Sequence, residues 1–348
     1  MRPIRVLLVA DTALASSACG RLAAALRHRG VEVFEEAPLD LDDLSVSDLL
    51  THLDAVGLFA APECLPRFLR RLRQACALRG GRSVAVFSGP TTPLVGDALT
   101  ADLLPRLGVD LLCLHGPRQQ EELDDLLRTS GHPAPASVLL GPWGQSGSSP
   151  PEASPDPNGL PRRLVFLEQQ RLPPAPGARE RLLTVLERLC ANSPGWELIL
   201  QADPFCHPAP AAGTEEDGPA MSALLQGRAS HRSLRAAPPE IWRQSLRSAG
   251  VCATISSPLL WQTLALGLPL LLLGDYGIRT DMDGPLLFGS GLMGRLAGCD
   301  SLEELRDLPA PNPEWLRQMG WTIRPDAGPL VRWLAARADR GPQAGAER

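Results

Sequence analysis

Apolar and polar positions fall in blocks along this chain rather than singly. Residues 4–10 form an almost unbroken apolar run closed by Asp11, the pattern of a parallel strand covered on both faces. The spacing predicts a helix over residues 17–29, stopped by Gly30. Further strands are predicted at residues 31–34, 55–60, 83–87, 109–114 and 137–140, with helices at 49–52, 66–78 and 119–128 between them. Residues 144–161, rich in Ser, Pro and Gly, then interrupt the alternation and read as a linker. It resumes with a strand at 163–168, a helix at 178–192 whose Leu182, Leu186 and Leu189 share one face, and a strand at 196–200. Residues 204–220 read as a long surface loop and 239–249 as a short helix. Terminal helices are predicted at 301–306 and 329–337. Strand and helix alternate throughout, which predicts an α/β chain with two doubly wound, Rossmann-like domains facing a central cleft. The expected boundaries are 1–143, a linker at 144–162, 163–338, and a disordered tail at 339–348.

The most informative stretch runs from Val251 to Asp275. It reads as strand, serine loop, helix, Gly267-Leu-Pro break and buried strand. Ser257 suits a helix N-cap and Pro258 the first helical position, which needs no amide hydrogen. Ser256, Ser257 and the first-turn amides would then face one point, a natural seat for a phosphate group. The plainer reading, in which Ser257 only caps the helix, stays open at this point.

Composition narrows the function classes. The chain has 348 residues, enough for two domains with cores of their own, and is 44% hydrophobic and 21% charged. Its net charge of −5 gives no bulk reason to expect nucleic acid or an anionic membrane surface. Every cationic side chain other than histidine is an arginine, so a P-loop kinase, which needs a lysine, is excluded. The first strand lacks a G-x-G-x-x-G sequel, which disfavours nicotinamide and flavin cofactors. The eight cysteines are scattered without metal or redox spacing, and no metal is expected. No apolar run is long enough for a transmembrane segment, no signal-peptide cleavage site follows the first apolar run, and the expected location is the cytoplasm.

Several of these residues together resemble the GT-B glycosyltransferases. The resemblance rests on Phe166, Leu167, Glu168 and Gln169 with Pro173, on Thr254 to Pro258, on Gly267 to Pro269, on Asp275 and Tyr276, and on Phe288 to Gly291. It covers about half the chain, the first domain matching by architecture alone, and extends distantly to bacterial sialyltransferases and capsule-type transferases. It implies a metal-independent transferase without a cofactor, taking a nucleotide-sugar donor and a glycan or lipid-linked acceptor. By resemblance, Ser256 and Ser257 hold the donor phosphate, and Gln262 stands where relatives carry a ribose-binding glutamate. From their places in the chain, Asp275 and the Gly289, Ser290, Gly291 turn are further donor candidates. Asp11, ending the first strand, is the candidate general base, with capping a turn as its plainer role. His231, beside an arginine, is the candidate phosphate partner or acid; His207 and His115 are weaker candidates. The missing lysine at the leaving phosphate and the uncharged Gln262 keep two alternatives open: a catalytically inactive nucleotide- or sugar-binding relative, and a nucleotide-sugar epimerase.

Overall fold

The computed structural model describes residues 2–36, 41–78, 84–144, 159–169, 172–205, 219–228, 233–322 and 326–339. The chain divides into two compact units, Met1–Gln145 together with Leu316–Arg348, and Ser146–Trp315. Each is built on a six-stranded sheet, and all pairings between the strands of both sheets are parallel.

The first sheet holds β1 (Arg5–Ala10), β2 (Glu32–Glu36), β3 (Ala55–Phe59), β4 (Ala85–Ser88), β5 (Leu111–Leu114) and β6 (Ala136–Leu139), in the order β2-β1-β3-β4-β5-β6. Helices α1 (Ala13–His28), α2 (Leu41–Val46), α3 (Leu65–Leu78), α4 (Gly96–Leu103) and α5 (Pro117–Ser130) lie between the strands in sequence. Because strand side chains alternate, Val6, Leu8 and Ala10 pack on one face, in a core with Ala15, Leu22 and Leu26 of α1. Leu7 and Val9 pack on the other, with Leu65, Phe68 and Leu72 of α3, Leu99 of α4 and Leu123 of α5. Burying each such side chain contributes about 1.5–3 kcal/mol. α1 starts four residues before the predicted start because Thr12 caps it, its Oγ1 accepting the Ala15 N–H at 3.1 Å. Just past its end, Gly30 sits at φ 80, a conformation that favours glycine.

The second sheet holds β7 (Arg163–Leu167), β8 (Glu197–Gln201), β9 (Leu234–Ala237), β10 (Val251–Thr254), β11 (Leu270–Leu273) and β12 (Met293–Gly294), in the order β12-β11-β10-β7-β8-β9. Its helices are α6 (Pro176–Ala191), α7 (Met221–Gln226), α8 (Trp242–Arg247), α9 (Leu259–Ala265) and α10 (Gly284–Leu287), followed in sequence by α11 (Pro313–Gln318) and α12 (Gly328–Asp339). The leucines of α6 close a core with Phe166, Leu198, Leu200 and Ala253.

One boundary is corrected. The second domain was expected to run to residue 338, yet α12 belongs to the first unit. Ala327, Leu330 and Leu334 are buried in the core around α1, and Arg337 pairs with Asp110 at 2.7 Å. Of the predicted linker, only Gly144 and residues 159–162 are described; of the predicted tail, only Asp339. Among the described residues no helix is long and apolar enough to cross a membrane.

Candidate functional site

In each sheet the chain winds outward in one direction from its first strand and then in the other. In open α/β sheets such a reversal opens a crevice at the carboxyl ends of the two central strands, and ligands bind there. In the second sheet the reversal lies between β7 and β10. The strands leave that edge as Glu168 and Gln169, and as Ile255 and Ser256.

Gln169 spans the crevice. Its Oε1 accepts the Ser256 N–H at 2.8 Å and its Nε2 donates to Ser256 Oγ at 3.1 Å. The Ser256 hydroxyl also bonds the carboxylate of Asp283, a residue held at φ 54. Thr254 Oγ1 donates to the Leu167 carbonyl at 3.0 Å and accepts the Ser257 N–H at 3.1 Å, tying the two strand ends together. Ser257 is fully buried. Its Oγ accepts the Leu259 N–H at 3.3 Å and its carbonyl the Leu260 N–H at 2.9 Å. The expected cluster of open amides therefore does not form. Gln169, Thr254 and Ser257 itself engage the N–H groups of Ser256, Ser257 and Leu259, and Pro258 has none. Ser257 is spent on the first turn of α9, where its Oγ holds the Leu259 N–H, and Ser256 is the residue that meets Gln169 in the crevice.

The other expected donor residues are spread around this unit. Gln262 is buried on α9. Asp275, just beyond β11, accepts the Leu296 N–H at 2.9 Å through Oδ2 and the Ala297 N–H at 3.2 Å through Oδ1, clamping the turn that follows β12. The turn of Gly289, Ser290 and Gly291 precedes β12, which runs parallel to β11. It enters the sheet at the edge opposite the one where Ser256 and Asp275 leave it, so the structure does not bring it to the crevice. Its glycines stand at φ 81 and φ 76, and Ser290 is buried, its carbonyl accepting the Asn312 N–H at 2.7 Å. The string marks a tight turn packed on Asn312. His231 and His207 lie outside the described residues. Arg228, the last described residue before the segment that holds His231, pairs with Glu187 at 2.7 Å.

The neighbouring Glu168 is buried, and its Oε1 accepts the Ser222 N–H at 3.0 Å. Burial raises its pKa, against the bonds from Ser222 and Met221 and the charge of Arg179. Arg179, also buried, donates to the carbonyls of Pro173 and Pro219 at 2.9 and 3.2 Å. The two residues fix the start of α7 against the end of β7.

In the first sheet the reversal lies between β1 and β3. Asp11 bridges it, its Oδ2 accepting the Ala61 N–H at 2.6 Å while the residue stays exposed. Behind this edge, buried Arg106 donates to Ser88 Oγ at 2.5 Å and to the Ala60 carbonyl at 3.2 Å. It is paired through Nε and Nη2 with both oxygens of Asp102, at 2.9 and 3.0 Å. His115 is buried between the carbonyls of Pro90 and Gly141, at 3.0 and 3.1 Å from its ring nitrogens, and stacks on Trp143. It ties together the loops after β4, β5 and β6 and does not face solvent.

Burial pushes His115 down to about 4, against the pull of its two carbonyl partners. A base whose folded pKa lies below its unfolded value of 6.5 contributes stability above that value and loses it as pH falls through 4. The expected loss from this residue between pH 7 and pH 4 is about 3 kcal/mol, at about 1.4 kcal/mol per pH unit of displacement. Urea unfolding at pH 7, 5.5 and 4 checks this, and His115→Gln should flatten the slope between the last two points.

Two parallel α/β units of this kind, each with a reversal, define the GT-B fold. The chain belongs to the family described as "Putative glycosyltransferase (DUF6716)", whose profile matches residues 3–334, and it is a glycosyltransferase of GT-B type. Among solved structures it is similar to S. aureus MnaA in complex with UDP, with 11% identity over 99% of this chain and 100% of that one, at a TM-score of 0.58. It is likewise similar to a UDP-N-acetylglucosamine 2-epimerase, with 13% identity over the whole of both chains and the same TM-score of 0.58. At these identities the likeness is one of fold. No curated protein matches the sequence.

Proposed function

We propose that the donor is a UDP-sugar, that it binds the β7–β10 crevice of the second sheet, and that Asp11 activates a glycan or lipid-linked acceptor on the first. The observation that carries the donor site is the Gln169–Ser256 pair at the strand-order reversal. The uridine nucleotide is taken from the fold likeness to a protein solved with UDP. In this reading a phosphate oxygen displaces the Gln169 carboxamide and takes its place on both the Ser256 N–H and the Ser256 hydroxyl. Transfer forms a bond between the acceptor oxygen and the anomeric carbon, breaks the bond from that carbon to the donor phosphate, and moves the acceptor proton to Asp11. His231 keeps its proposed role at the leaving phosphate. We place the reaction in the cytoplasm, a reading supported by the free thiols of all seven described cysteines.

Calorimetry with UDP tests the donor site. Ser256→Ala is expected to weaken binding about 10-fold or more, since a hydrogen bond to a charged group contributes about 1.5–3 kcal/mol. Ser257→Ala should leave the affinity alone and cost about 1 kcal/mol of stability through the lost hydrogen bond from the Leu259 N–H. Equal UDP affinity in wild type and Ser256→Ala overturns the site. An epimerised UDP-sugar formed without any acceptor would move the assignment to an epimerase.

A further inference from the structure

The first unit carries a second concave surface that none of the residues discussed above touches. It is a groove of about 540 Å³ between α3 and the two loops through which the chain enters β5 and β6. Arg70 and Arg73 of α3 and His132 of the loop before β6 line it, over walls that include Leu104, Leu107 and Pro133. No acidic side chain lines the groove, in a chain with 39 acidic residues against 34 arginines. No serine, threonine, asparagine or glutamine lines it either, so it offers no side-chain amide or hydroxyl for reading a sugar or a base.

Its two arginines differ from the others on the same helix. Arg67 and Arg71 are both paired with Asp42. Arg70 is exposed and makes no ion pair among the described residues, while Arg73 has one guanidinium nitrogen anchored on the Gly108 carbonyl at 2.6 Å. Leu104 is 44% exposed. A groove with cationic heads on one side and leucine and proline walls complements a ligand that is anionic at one end and apolar at the other. A hydrated inorganic anion would leave those walls wet, and a lipid without net negative charge would leave the two guanidinium groups without counter-charge.

We propose that this groove docks the protein on an anionic phospholipid surface, the phosphate seated at Arg70 and Arg73 and the ester and upper acyl region lying against Leu104 and the prolines. The net charge of −5 repels the whole chain from such a surface, so the interaction depends on this local patch and weakens with salt. The proposal is independent of where the donor binds.

Vesicle co-sedimentation at low salt tests it, with phosphatidylcholine vesicles against phosphatidylcholine containing phosphatidylglycerol. The wild-type protein is expected to bind the anionic vesicles and not the neutral ones, and millimolar inorganic phosphate should not release it. Arg70→Gln with Arg73→Gln should lower partitioning roughly 25-fold, about five-fold per arginine at a charged surface. Leu104→Glu should lower it as well, whereas Arg67→Gln should have a far smaller effect. Thermal unfolding of the variants confirms that they are folded. Equal binding to both vesicle types, no binding to either, unchanged binding of the double arginine variant, or release by inorganic phosphate would each overturn the proposal.

Discussion

Asp11→Asn is expected to lower the rate of sugar transfer by about 10²–10⁴-fold, the range for removing a general base. The substitution is chosen because it leaves the geometry in place. The asparagine oxygen can still accept the Ala61 N–H that Oδ2 now accepts at 2.6 Å, so the bridge between the ends of β1 and β3 survives. What is lost is the lone pair that takes the acceptor proton. UDP binding should be unchanged, because the donor edge belongs to the other sheet. Steady-state kinetics and calorimetry on the same preparation separate these effects. A variant that transfers at the wild-type rate would leave Asp11 only its structural bridge.

The second large effect is on stability. Asp102→Ala should destabilise the protein by about 3–5 kcal/mol, because it strips a buried guanidinium of its counter-charge. The Arg106 side chain is 4% exposed and that of Asp102 14%, so water replaces little of the lost interaction. The variant should also disturb transfer, since Arg106 holds the Ala60 carbonyl, one residue before the amide that anchors Asp11. Combining Asp102→Ala with Arg106→Met should recover part of the stability, because it removes the stranded charge as well. Urea unfolding at pH 7 measures both. A loss below about 1 kcal/mol would mean that the pair is solvated like a surface ion pair.

Much of the fold could be read from the sequence, and less of the site. Residues 4–10 and 268–273 announced β1 and β11 because a strand covered on both faces must be apolar at consecutive positions. The same periodicity could not say which sheet an amphipathic helix joins, and so α12 was assigned to the wrong unit. The serine turn was legible as a helix start, since cap chemistry is local. Whether its amides stay open was not, because Gln169, which engages Ser256, lies 87 residues away. A string such as Gly289, Ser290, Gly291 records backbone freedom and carries no information on which edge of a sheet it occupies. The sequence gives no sign of the ion pair of buried Arg106 with Asp102, or of the burial of Arg179 and Glu168, since charge in a sequence says nothing of burial.

The most direct test of the donor site is a crystal structure of the protein with UDP. The account predicts the diphosphate between the carboxyl ends of β7 and β10, against Ser256, with the Gln169 side chain no longer bonded to it. UDP bound elsewhere, with both Gln169–Ser256 hydrogen bonds intact, would contradict it.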